Sequence, residues 1–105
     1  MNLIFIFSIL PAAQADLSNQ ADYYVREADV DTALRFLDAV ERTFELLKSQ
    51  PHMGAFTKLS HPVLEKSRFV AIKGFNRILV FYRVQEDRLD VIRVIHGYRD
   101  IPALL

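Results

Sequence analysis

The residues best suited to chemistry lie in the second half of the chain, where arginine, histidine and tyrosine alternate with apolar residues. His96 carries an imidazole that titrates near neutral pH, and Arg68 and Arg77 can bind a phosphate through forked hydrogen bonds. Tyr98 can donate a proton or stack on a base. These four side chains could move protons beside a bound phosphate. A lone histidine at a strand end is more often structural, so the residues alone leave both roles open.

A predicted β-hairpin would position these side chains. Its strands span residues 78–84 and 89–95, which are rich in β-branched and aromatic residues, and the polar segment 85–88 connects them. Alternation along the strands predicts a core face made of Ile78, Val80, Tyr82, Val84, Leu89, Val91 and Ile95. The opposite face would then carry Arg77 and His96 close together at one end. We expect the functional site at this end of the hairpin.

A third predicted strand, 66–72, precedes the hairpin and reaches it through a turn at residues 73–76. Pairing across this turn would put Arg68, Val70 and Ile72 on the same face as Arg77. Strand arginines more often lie in solvent or pair with carboxylates, Asp90 being one candidate. The predicted target-binding set comprises Arg68, Arg77, Arg93, His96 and Arg99.

Two helices are predicted ahead of these strands. The first spans residues 12–27 after Pro11, and the second begins at an aspartate cap within residues 28–31 and ends at Pro51. The second helix has an apolar stripe at three- and four-residue intervals, made of Ala33, Leu34, Leu37, Val40, Phe44 and Leu47. Helices this close in sequence should form an antiparallel hairpin that packs on the sheet. The fold class expected is therefore α+β.

The apolar run at residues 3–10 allows two interpretations. It could be a secretory signal, since Ala13-Gln14-Ala15 resembles a cleavage site, or it could be a buried strand. We favour the strand, because no Lys or Arg precedes the run and it is too short to cross a membrane. The apolar tail, residues 101–105, is expected to dock on the domain or to bind a partner.

Length and composition restrict the function classes further. The 105 residues are expected to form one domain, 1–105, and Lys plus Arg balance Asp plus Glu at 13 each. Any nucleic-acid binding would therefore depend on a local basic patch. The chain has no cysteine, which excludes thiolate metal sites, and His52 and His61 have no carboxylate at ligand spacing. We expect neither a metal site nor a cofactor.

Five segments resemble, in order and spacing, the ParE branch of the RelE/ParE toxin superfamily. They are residues 11–17, 33–40, 46–47 together with 51–54, 77–83 and 91–100. The last contains His96-Gly97-Tyr98-Arg99-Asp100, and the resemblance covers nearly the whole chain. It implies a small α/β fold in which two helices pack on an antiparallel-rich sheet. It also implies that the chain is the toxin of a type II toxin-antitoxin pair.

The resemblance leaves the target open between two branches. ParE relatives are associated with inhibition of DNA gyrase, whereas RelE relatives cleave messenger RNA on the ribosome, a reaction for which Arg68, Arg77, His96 and Tyr98 could supply the groups. We expect a cytoplasmic bacterial gyrase inhibitor without catalysis of its own. Its cognate antitoxin would cover it with a disordered or helical segment, and no membrane partner is expected. An mRNA endoribonuclease and a non-toxic antitoxin-binding module are the alternatives.

Overall fold

Two helices and five strands make up the computed structural model, which describes residues 4–97. The elements in chain order are β1 (Ile6–Ile9), α1 (Pro11–Glu27), α2 (Val30–Ser49), β2 (Ala55–Phe56), β3 (Arg68–Ile72), β4 (Phe75–Gln85) and β5 (Arg88–His96). The sheet order is β1-β5-β4-β3-β2. Only the β1–β5 pair among these strands is parallel. The α+β prediction and the strand predicted in residues 3–10 are both confirmed.

Helix α2 is capped and amphipathic, as predicted, but its buried stripe differs from the predicted one. The predicted aspartate cap is Asp29, whose Oδ1 accepts a hydrogen bond of 2.7 Å from the Thr32 backbone N–H. The buried residues of α2 are Ala33, Phe36, Val40, Phe44 and Leu47. The predicted stripe was wrong at Leu34 and Leu37, which are exposed, because Phe36 takes the intervening position toward the sheet.

The β4–β5 hairpin is longer and tighter than predicted. Gln85 pairs with Arg88, so the connection is a two-residue turn in which Glu86 has φ +56°. Beyond it, the register shifts between Phe81 and Tyr82: Tyr82 pairs with Val91, but Phe81 pairs with Arg93. This bulge reverses the phase of side-chain alternation in the rest of β5.

The bulge redistributes the apolar residues of β5 between two faces of the sheet. Val94 pairs with Val80 and packs into the core beneath the helices, a position that the sequence had assigned to Ile95. Ile95 instead joins a second cluster with Phe81, Ile92 and Leu64 on the other face. The predicted core face was therefore correct up to Val91 and wrong beyond it.

The segment predicted as a loop at residues 52–62 contains a short edge strand. Ala55 pairs with Phe69 and Phe56 pairs with Arg68, so β2 extends the sheet by two exposed residues. A two-residue strand gives no detectable alternation, which is why the sequence did not predict it. Strand β3 begins at Arg68, two residues later than predicted.

Candidate functional site

Arg77 and His96 lie at the same end of the sheet, as predicted, but on opposite faces. His96 pairs with Ile78, and directly paired residues of antiparallel strands share a face. His96 is therefore on the helix-covered face with Ile78, whereas Arg77, one residue earlier, is on the other. The backbones meet here, since Gly97 N–H donates a hydrogen bond of 2.7 Å to the Arg77 carbonyl. The predicted shared face was wrong because the β5 bulge reverses the alternation.

Arg68 does not join these two residues. It pairs with Tyr82, four positions from Ile78 along β4, and so lies on the helix-covered face, not with Arg77 as predicted. At about 3.3 Å per residue, Arg68 and His96 are about 13 Å apart along the sheet and about 10 Å apart across two strand spacings. The β3–β4 register shifts between Ala71 and Ile72, so the pairing extrapolated from the sequence through the following turn was wrong.

The Arg68 guanidinium instead holds the chain around β2. Its Nη1 donates hydrogen bonds to the His52 carbonyl at 3.1 Å and to the Gly54 carbonyl at 2.7 Å. The same group lies 4.0 Å from the centre of the Phe56 ring, within range of a cation–π interaction. This arrangement fixes the short edge strand against β3.

Arg93 forms a two-pronged ion pair with Asp16 of α1. The Nε to Oδ2 distance is 2.7 Å and the Nη2 to Oδ1 distance is 2.9 Å, and Oδ2 also accepts a 2.9 Å hydrogen bond from the Val94 N–H. Only 25% of the Arg93 side chain and 13% of the Asp16 side chain are exposed. β1 pairs with β5 only as far as Val91, so Asp16 covers part of the edge beyond it. The pair joins α1 to the sheet.

Two predicted site residues, Tyr98 and Arg99, lie outside the described residues, as does the predicted docking tail at 101–105. Their assigned roles remain predictions. Sequence reasoning also missed Asp16, the partner of Arg93. The two residues are separated by 77 positions, so no local pattern indicates that they meet.

Tyr82 lies buried between the β2 segment and the core. Its hydroxyl accepts a 2.9 Å hydrogen bond from the Gly54 backbone N–H. Burial raises the pKa of Tyr82, while that hydrogen bond and the Arg68 guanidinium act in the opposite direction. A Cβ on Gly54 would lie 2.6 Å from the hydroxyl and 2.8 Å from the Phe69 carbonyl oxygen, so only glycine fits.

Replacing Tyr82 with phenylalanine is expected to lower the free energy of unfolding by about 1–3 kcal/mol at neutral pH, because the buried Gly54 N–H loses its acceptor. The difference should narrow above about pH 10, since the folded protein holds the Tyr82 proton more tightly than the unfolded chain, and wild-type stability falls as pH rises there. Denaturant unfolding at both pH values measures this. An unchanged free energy of unfolding in Tyr82→Phe at neutral pH would contradict the assigned hydrogen bond.

The face of the sheet opposite the helices carries an apolar groove of about 420 Å³. Its lining comprises Ala55, Phe56, Thr57, Lys58, Leu59, Phe69, Leu79 and Phe81. The groove lies beside the second apolar cluster, which the loop residue Leu64 covers in part. A groove of this character suits an apolar polypeptide segment better than a charged small molecule.

Residues 4–97 contain no cluster of three or more His, Cys, Asp or Glu side chains that could bind a metal ion. In the same part of the chain, neither helix is both long and apolar enough to cross a membrane.

Comparison with known proteins decides the family. The model of the ParE toxin of the type II toxin-antitoxin system parDE matches residues 7–101. The chain belongs to the ParE toxin family. Its fold matches a chain of the solved structure "Chromosomal ParDE TA system from P. aeruginosa", with a TM-score of 0.71 and 18% identity, over 89% of this chain and 96% of that chain. No curated protein sequence matches it. The ParE resemblance predicted from the sequence is confirmed.

Proposed function

We propose that this ParE family member inhibits DNA gyrase by binding to it, without catalysing a reaction, in the bacterial cytoplasm. A cognate antitoxin neutralises it. Support for the toxin role comes from the match to a parDE toxin model over residues 7–101. The gyrase target follows the ParE branch, with which the sequence shares its ordered motifs.

The separation of the basic groups is the observation that favours binding over catalysis. RNA cleavage requires acid, base and phosphate-binding groups within hydrogen-bond reach of one phosphodiester. Arg77 is on the opposite face from His96, and Arg68 is about 13 Å further along the sheet. Three of the four candidate groups therefore do not converge. The endoribonuclease alternative has less support for this reason.

The proposed gyrase contact is the end of the sheet where β4 begins and β5 ends. Arg77 is exposed and His96 half-buried there. We add Arg99 from the sequence prediction. Arg68 and Arg93 were also predicted to bind the target, but their guanidinium groups bond to the β2 segment and to Asp16. We therefore assign these two arginines to maintaining the fold.

The antitoxin is proposed to dock in the apolar groove on the open face of the sheet. A toxin-antitoxin pair requires a partner segment that covers a substantial surface. This groove offers apolar contacts to such a segment, and none of the described residues covers it. Leu79 contributes to its lining and is half-buried.

Replacing Leu79 with glutamate is expected to weaken antitoxin binding by at least about 30-fold, because the carboxylate would be desolvated in the complex. Leu34→Glu is the matched control, since Leu34 is 60% exposed on α2 and outside the groove. Calorimetric titration with the cognate antitoxin measures both, and circular dichroism checks that both variants fold. Loss of binding in Leu34→Glu alone would place the antitoxin on the helix layer instead.

A supercoiling assay with purified gyrase tests the proposed activity directly. The chain should inhibit supercoiling of relaxed plasmid and accumulate cleaved DNA, and prior addition of antitoxin should prevent both effects. Unaffected supercoiling at saturating toxin would contradict gyrase as the target.

A further inference from the structure

A second pocket, of about 400 Å³, lies far from His96, where β4 approaches its turn with β5. Its volume falls within the range of small-molecule sites. His52, Lys66, Arg68 and Arg83 are among its lining residues, and no Asp or Glu side chain lines it. The pocket thus gathers three full positive charges and an imidazole in a chain with no net charge.

These three cations have no carboxylate partner within residues 4–97. The arginines and lysine that do form ion pairs there are Arg35, Arg42, Lys48, Arg88 and Arg93. None of these is a pocket cation: the pocket contains Lys66, Arg68 and Arg83. An uncompensated cluster of cations attracts an anion, and the attraction is strongest where solvent is partly excluded.

Backbone carbonyls fix both guanidinium groups without neutralising them. Arg83 Nη2 donates to the Val63 carbonyl at 2.7 Å and to the Glu65 carbonyl at 3.1 Å, while Arg68 uses only Nη1 for its two carbonyls. The Nε and Nη2 atoms of Arg68 carry three further N–H groups, for which the described residues provide no acceptor. These donors are held in place for a ligand oxygen.

A buried hydroxyl and a strained backbone accompany the cations. Tyr82, fully buried, also lines the pocket; its oxygen accepts from Gly54, and its proton has no acceptor in the described part of the chain. Lys66 adopts φ +64°, a left-handed conformation that is unfavourable for a lysine and often marks a functional position. The flanking carbonyl of Glu65 is held by Arg83, which helps to maintain this conformation.

Phe56 adds an aromatic surface at the same pocket. Its side chain is 61% exposed although the Arg68 guanidinium lies 4.0 Å from its ring centre. Nucleotide sites combine two features: cations that bind the phosphate, and an exposed aromatic ring on which the base stacks. We propose that this pocket binds a nucleotide through its phosphate, held by Lys66, Arg68 and the Tyr82 hydroxyl, with the base against Phe56. The site is separate from the proposed gyrase contact and does not depend on it.

Titration of the ¹⁵N-labelled full chain, followed by NMR, tests the proposal with three probes: inorganic phosphate, thymidine monophosphate and a 5′-phosphorylated tetrathymidylate. Saturable shifts should centre on the amides of Gly54, Lys66 and Arg68, and the mononucleotide should bind about fivefold more tightly than phosphate because of stacking. Tighter binding of the tetranucleotide would identify a nucleic-acid strand as the source of the phosphate; equal binding would identify a free nucleotide. Absence of saturable shifts with every probe up to about 10 mM would overturn the proposal.

Variants distinguish a specific phosphate site from non-specific attraction of the anion to basic residues. Lys66→Gln should weaken binding of all three probes by at least about fivefold, whereas Lys73→Gln, which removes the same charge from an exposed position outside the pocket, should leave it unchanged. Phe56→Leu should abolish the preference for nucleotide over phosphate while phosphate binding persists. Equal weakening of binding by Lys66→Gln and Lys73→Gln would overturn the proposed site.

Discussion

Replacing Asp16 with alanine lowers the free energy of unfolding by about 2–4 kcal/mol in our account, because it removes three charge-assisted hydrogen bonds at once. The Arg93 side chain, three-quarters buried, loses its bond to the Asp16 carboxylate, and the Val94 N–H loses its acceptor at the β5 edge. Urea unfolding followed by circular dichroism measures the change. Asp16→Asn should give an intermediate loss, since the amide oxygen can still accept from Val94.

The matched control is Asp31→Ala, which removes another aspartate–arginine pair in the helix layer. Asp31 and Arg35 are 81% and 65% exposed, so their pair should contribute no more than about 0.5 kcal/mol. If Asp16→Ala lowers the free energy of unfolding by as little as Asp31→Ala does, the α1–β5 connection does not depend on the Asp16–Arg93 ion pair.

The double variant Arg77→Ala, His96→Ala is expected to lose toxicity and to need at least about 100-fold more protein for half-inhibition of gyrase. Both side chains lie at the proposed contact, and neither is fully buried, so the fold should persist. Growth after induction and the supercoiling assay measure the two effects. Antitoxin binding should persist, because neither Arg77 nor His96 lines the proposed groove.

Arg42→Ala with His61→Ala is the control for this double variant, since it removes the same two residue types from exposed or half-buried positions outside the proposed contact. It should remain toxic. Full toxicity of the Arg77, His96 variant would reject the proposed contact surface, and loss of antitoxin binding would indicate that the two surfaces overlap.

The sequence predicted most of the fold because its strongest signals are local. The Asp29 cap, the stripe that ends at Leu47 and the β-branched runs of the hairpin each specify an element from neighbouring residues alone. The resemblance to ParE toxins, which uses the same segments, predicted the family that the comparison establishes.

The arrangement of the candidate site could not be predicted, because it depends on a single bulge. Ile92, Val94 and Ile95 are all apolar, and Arg93 is the one charged residue among them, so the pattern fits either phase of the alternation and does not reveal where it reverses. Once it does, His96 moves to the face opposite Arg77. Pairings between distant segments, such as that of Asp16 with β5, are likewise invisible to local patterns.

Pulse-labelling of cells in the first minutes after induction shows whether this ParE family member acts on gyrase. Incorporation of labelled thymidine and methionine is followed in parallel, with antitoxin co-expression as the control. We expect DNA synthesis to fall first while protein synthesis continues. An earlier fall in protein synthesis would contradict it in favour of ribosome-directed RNA cleavage, and no fall in either would contradict a toxic role.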